Sequence, residues 1–196
     1  MNSKSVLSLL CSLLLLAVLL PAMPQNAHAE VYSADEVFES EADVYEYLED
    51  FRTVVDPELL DAYDDYVAYF KVTNKATAYG EIGLSTYNEN TAFTQATRKQ
   101  AYKNIKTIAI PNYTKFINMI KKAKPQQPEL IALHEKFLKG ANIQLEGFKL
   151  FANYLNTATP TAKQKYTINT KIKLATKIIT QYNQSIYKYV DQFSLE

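Results

Sequence analysis

The sequence predicts an all-α fold, an antiparallel up-down bundle of four long helices with an additional acidic N-terminal helix. Three observations carry this. Apolar residues recur at steps of three and four, the period of a helix face, and no stretch reads convincingly as a strand. Glycine is scarce, with 4 in 196 residues. The last two predicted helices each sustain an alternating 4, 3 seam, the spacing of knobs-into-holes packing.

The chain opens on "MNSK" and the apolar run Val6 to Leu20, followed by "PAMPQNAHAE". A basic start, a short apolar core and Ala27 and Ala29 at an A-x-A site make a cleavable secretory signal over residues 1–29, with cleavage expected before Glu30. The run falls short of the ~20 residues a spanning helix needs. Cys11 lies inside it behind Leu10, where lipid modification calls for a small residue, so lipidation is not expected. Residues 30–196 then form a single domain without cysteine, closed to disulfides and thiol chemistry. No later segment is apolar for long enough to span a membrane.

The first helix is predicted from Ser33, with a Ser33–Glu36 capping box, to about Val54, carrying Val37, Val44, Tyr47, Leu48 and Phe51 on one stripe. Asp56 and Pro57 restart the pattern as N-cap and first helical residue. The second helix turns Leu60, Tyr63, Val67 and Phe70 inward and is expected to end near Tyr79, because "GEIGLSTYNEN" has two glycines in four residues and reads as a loop. A third helix is predicted from Thr91 to Ala123, with Phe93, Ile105, Ile108, Phe116 and Ile120 inward. Pro111 removes one backbone hydrogen bond and is expected to kink or briefly break it.

After "KPQQPE", residues 128–156 form the fourth helix, with Leu130, His134, Phe137, Ala141, Gln144, Phe148, Phe151 and Leu155 on its seam. "TATP" stops it and caps the fifth, Pro160 to about Phe193, whose seam is Ile168, Ile172, Ala175, Ile179, Tyr182, Ile186, Tyr189 and Phe193. Lys163, Lys173, Lys177 and Lys188 fall off that seam, on the outer face.

The zero net charge hides an asymmetry. Residues 30–66 hold 14 acids against Arg52 alone, a net of −13, while residues 67–196 hold 19 bases against 7 acids, a net of +12. Such blocks either pair with each other across the fold or mark an interaction face.

Candidate sites follow from the same placement. His134 precedes Glu135 in "HEKFL", but the position four residues on, where a zinc-protease helix needs its second histidine, is Leu138. A di-iron bundle needs a Glu-x-x-His step on two helices, which the chain lacks. His134 and Gln144 are therefore expected as buried polar residues that set helix register, or as the lining of a small polar cavity. Glu58, Asp61, Asp64 and Asp65 make an acidic helix face able at most to hold a divalent cation weakly, since no folded loop with carbonyl ligands accompanies them. The 15 tyrosines lie mostly at core spacing; Tyr45 and Tyr187 fall off the stripes and are candidates for a partner surface.

No nucleophile elbow, phosphate loop or glycine cradle is present, so catalytic, cofactor and metal residues are not expected. Nucleic-acid binding is disfavoured by lysines scattered over three helices and by export. The expected function is that of an exported, envelope-associated bacterial binding protein. Its partner would be an envelope protein or anionic wall polymer, engaged through Lys163, Lys173, Lys177, Lys188 and Tyr187. A small-ligand or divalent-cation carrier is the alternative.

Overall fold

The computed structural model describes residues 41–193; the expected leader, its cleavage site and the Ser33–Glu36 box lie outside the described residues. Among the described residues every regular element is helical and no strand occurs. Helix α1, Glu41–Arg52, buries Val44, Leu48 and Phe51, with Tyr47 half-buried. Asp56 caps as expected: its carboxylate accepts the Glu58 N–H at 2.9 Å, opening a short 3-10 turn, Pro57–Leu59. Helix α2 follows, Leu60–Asn74.

The predicted loop at Gly80 is a helix. α2 ends at Asn74, and α3, Thr77–Glu89, runs straight through "GEIGLSTYNE". Both glycines are buried and neither has a positive φ, so neither makes a turn, and Gly83 serves close approach. A Cβ on Gly83 would stand 2.9 Å from the Tyr113 Cβ and 3.2 Å from the Ala109 carbonyl oxygen. The connection lies later, at residues 90–97, where Thr94 and Thr97 exchange hydroxyl and backbone bonds.

The third predicted helix accordingly starts at Arg98 and not Thr91. It comprises α4, Arg98–Asn104, a π-helical turn, Ile105–Ala109, and α5, Ile110–Ile120. The chain stays helical through Pro111. A proline ring clashes with the carbonyl four residues back, and the wide turn ahead of Pro111 provides the room an ordinary turn lacks. Asn112 Nδ2 donates to the Ile108 carbonyl at 2.8 Å. The wide turn also alters the phase. Ile105 and Ala109 both face inward, and Ile108, expected inside, is 40% exposed.

Helices α6, Pro128–Asn156, and α7, Ala162–Asp191, at 29 and 30 residues, are the fourth and fifth predicted helices; of the other two expected long helices, α2 has 15 residues and the third is divided by the π turn. All eight seam residues of α6 are buried. On α7 only Ile172 is merely half-buried. The α7 cap is Thr161, just after "TATP": its hydroxyl accepts the Gln164 N–H at 3.2 Å while Gln164 Oε1 accepts the Thr161 N–H at 2.8 Å.

These two form the most extensive helix pair of the fold. Phe137 meets Tyr182, Gly140 meets Ile179, Glu146 meets Lys171 and Gly147 meets Ile172, so one number falls as the other rises and the helices run antiparallel. α2 crosses α7 in the same sense through longer side chains: Tyr69 reaches Tyr182, Tyr66 packs on Tyr189, and Tyr63 on Phe193. Tyrosine thus fills a wide gap between these helices with apolar area, while its hydroxyls find partners such as the Leu48 carbonyl, 2.7 Å from the Tyr63 hydroxyl.

Candidate functional site

His134 and Gln144 share the buried face of α6 but stand ten residues apart, about 15 Å along the axis. They do not form one site. The His134 imidazole meets the Tyr69 ring edge-on at 5.7 Å and its buried Nδ1 has no hydrogen-bond partner. Burial first, and then Lys124, hold its pKa below the ordinary 6.5, against a smaller opposing pull from Glu135. Gln144 Oε1 accepts the Tyr113 hydroxyl at 2.6 Å, a buried bond from α5 to α6. Burial raises the Tyr113 pKa far above the phenolic range, so the hydroxyl stays a donor.

The acidic face is dispersed by its partners. Asp64 takes a bidentate pair of bonds from Arg52, at 2.6 and 2.7 Å, which holds its carboxyl below the usual range. Asp65 Oδ2 accepts the backbone N–H groups of Gln126 and Gln127 at 2.8 and 2.7 Å and pins the turn before α6. Glu58 and Asp61 are exposed. Among the described residues no three His, Cys, Asp or Glu side chains are grouped so that they could hold a metal ion. Asp65 and Asp64 belong to the fold's own wiring.

Lys163, Lys173, Lys177 and Lys188 are all exposed. At 100° per residue they fall within an arc of about 80° and span about 38 Å of α7. The same arc carries Tyr166, 73% exposed, and Leu174, 45% exposed, lies about 20° beyond its Lys163 edge. The helix holds no acid before Asp191. Tyr187 is half-buried at the edge of this face and packs on the core, as does Tyr45, over whose ring Lys71 Nζ lies at 5.2 Å.

Two clefts of the described surface bear on function. The first, about 250 Å³ between α1 and α2, is charged, but its charges answer each other: Arg52 with Asp64, and Lys71 with Glu49 at 3.4 Å. The second, about 260 Å³, lies where the loop after α3 crosses the end of α6 and the start of α7. Tyr87, Phe93, Phe151 and Tyr154 wall it, and Thr91, Lys165 and Asn169 supply polar groups. Neither cleft is lined by His134 or Gln144. Arg98 fastens the loop by donating to the Tyr154 carbonyl at 2.9 Å and to the Thr157 carbonyl. Its positive charge also suits the C-terminal end of α6. Sequence reading misses this cleft because its walls come from three separate segments, and Arg98 carries no local signal of its target.

No protein family, curated protein or solved structure matches this chain.

Proposed function

We propose that this chain is an exported, non-enzymatic binding protein. In this reading α2, the α4–α5 rod bent at Pro111, α6 and α7 form the up-down bundle, α1 is its acidic side helix, and an anionic wall polymer binds along the outer face of α7. The lysine arc carries the proposal. A row of Lys163, Lys173, Lys177 and Lys188, about 38 Å long and free of acids until Asp191, suits an extended polyanion better than a compact ligand. Tyr166 and Leu174 add apolar area between the cations, as binding of a sugar- or glycerol-based backbone requires. No carboxylate among the described residues forms an ion pair with any of the four lysines.

The test compares residues 30–196 with the same chain carrying K163Q, K173Q, K177Q and K188Q, titrated by calorimetry with purified teichoic acid over a salt series. The expected outcome is wild-type binding that weakens steeply with salt, and at least about tenfold weaker, less salt-sensitive binding by the variant. Equal affinities for the two chains overturn the proposal. Binding of an acidic envelope protein in place of the polymer keeps the face and replaces its partner.

A further inference from the structure

We propose that the cleft walled by Tyr87, Phe93, Phe151 and Tyr154 is a binding site for a small aromatic carboxylate, with Lys165 taking the acid group. The site is distinct from the lysine arc, since Lys165 lies about 200° round α7 from Lys163.

The apolar half of the site is a set of mutually supporting rings. Phe151 meets Tyr87 edge-on at 5.3 Å, Phe93 at 6.0 Å and Tyr154 nearly parallel at 6.4 Å; Phe93 meets Tyr154 at 6.3 Å. Behind them Tyr87 stacks on Phe148 at 4.2 Å, so the wall is anchored in the core. A flat ring is the shape such a wall receives best, by offset or edge contact. The volume, about 260 Å³, lies at or below the low end of the ~300–1,000 Å³ usual for ligand pockets and limits the occupant to about one ring with a short arm.

The polar half selects an anion. No Asp or Glu lines the cleft. Lys165 makes no ion pair or side-chain hydrogen bond among the described residues, and neither does the Asn169 carboxamide. One free cation and one free amide donor beside an aromatic wall suit a carboxylate attached to a ring.

The cleft is also held open in advance. Arg98 ties the loop to the end of α6, Asn104 Nδ2 donates to Asn90 Oδ1 at 3.1 Å, and Asn90 Nδ2 donates to the Thr86 carbonyl at 2.7 Å. Thr91 Oγ1 is fixed on the Asn88 carbonyl at 2.8 Å. A pre-formed cleft avoids the ordering cost that erodes weak binding.

The experiment titrates residues 30–196 with phenylacetate, and separately with its neutral isostere phenylacetamide, following backbone amide NMR signals. The expected result is saturable shifts confined to Thr91–Phe93, Phe151–Tyr154 and Lys165–Asn169, with a dissociation constant on the order of 1–10 mM for so small a probe. The acid should bind about three- to fivefold tighter than the amide, the fold-change of one exposed charge pair. Lys165 is exposed, so Lys165→Gln folds; it should erase the preference while leaving amide binding in place. Phe93→Ala should weaken both probes. No localised shifts in the wild type, equal affinities for acid and amide, or a preference that survives Lys165→Gln would each overturn the assignment. The four-lysine variant that tests the α7 arc should bind phenylacetate as the wild type does, which separates the two proposals.

Discussion

The Gln144–Tyr113 bond shows how one polar pair pins two helices. Among the apolar side chains around them, sliding α6 against α5 by a turn would strand both groups without water, which penalises every register but one. Gln144→Leu leaves the buried Tyr113 hydroxyl without an acceptor and should lower unfolding free energy by about 1–3 kcal/mol. Adding Tyr113→Phe should recover most of that loss, because both polar ends are then gone; urea unfolding of the single and double variants checks it. A double variant less stable than Gln144→Leu alone would show that the hydroxyl has another role. His134 acts differently. Its folded pKa lies below the unfolded value of about 6.5, so the unfolded chain takes up the proton first and stability declines as pH falls from about 6.5 towards the folded pKa. Above that window its contribution is complete. The urea midpoint should therefore drop between pH 7.5 and pH 5.5, and His134→Leu should show a smaller drop. The seam positions of His134 and Gln144 were legible in the sequence from the 4, 3 spacing. Their partners, Tyr69 and Tyr113, were not, because a residue's own helix says nothing about which neighbour it faces.

Glycine separates reading from structure at the level of the element. Gly80 and Gly83 look like a turn beside Asn, Ser and Thr, yet their helix continues, and the missing Cβ of Gly83 lets α3 approach the π turn and α5. Gly140 and Gly147 do the same for α6 against Ile179 and Ile172 of α7. What each added methyl would strike differs. At Gly83 it meets the Tyr113 Cβ and the Tyr113 backbone nitrogen at 3.1 Å, which cannot move without the helix. At Gly147 it meets the Cδ1 end of Ile172, a half-buried side chain that can turn away. Alanine gains about 1 kcal/mol of helix propensity at either place. Gly147→Ala should thus be within about 1 kcal/mol of wild type, while Gly83→Ala should lose about 1–3 kcal/mol from overpacking. Thermal unfolding of the two variants decides; equal melting points would mean that α3 can retreat from α5. Pro111 belongs here too. The sequence marks a disturbance of the helix there; the structure has a π turn just ahead of the proline, with the chain helical throughout and Ile108 turned outward, a form that depended on where the flanking residues found their core.

Taken whole, the molecule does not neutralise its two charge blocks by close pairing among the described residues. Of the ion pairs there, Arg52–Asp64 lies inside the acidic segment, Lys171–Glu146 inside the basic one, and Lys71–Glu49 alone joins them. All are exposed pairs of the kind worth ~0–1 kcal/mol. What attaches the acidic segment is apolar: Leu48, Phe51 and Val55 are buried, Phe51 meets Tyr63 at 5.7 Å, and Tyr63 meets Phe193. A chain from Pro57 to Glu196 should therefore melt at a clearly lower temperature than residues 30–196, since Leu48 and Phe51 contribute ~1.5–3 kcal/mol each by burial. Its net charge is also more positive, so teichoic acid should bind it at least as tightly. Unchanged melting would show that α1 is not part of the core.

The sequence alone determined the helical class, the two long seams, the Asp56 cap and the exposure of the α7 lysines, because periodicity and capping are properties of neighbouring residues. Only the tertiary structure decided that two glycines sit inside a helix, that Asp64 and Asp65 serve Arg52 and the α5–α6 turn, and that four rings and a lysine from three segments meet in one cleft. Those outcomes rest on contacts between residues far apart in the chain, whose energies exist only once the helices have packed.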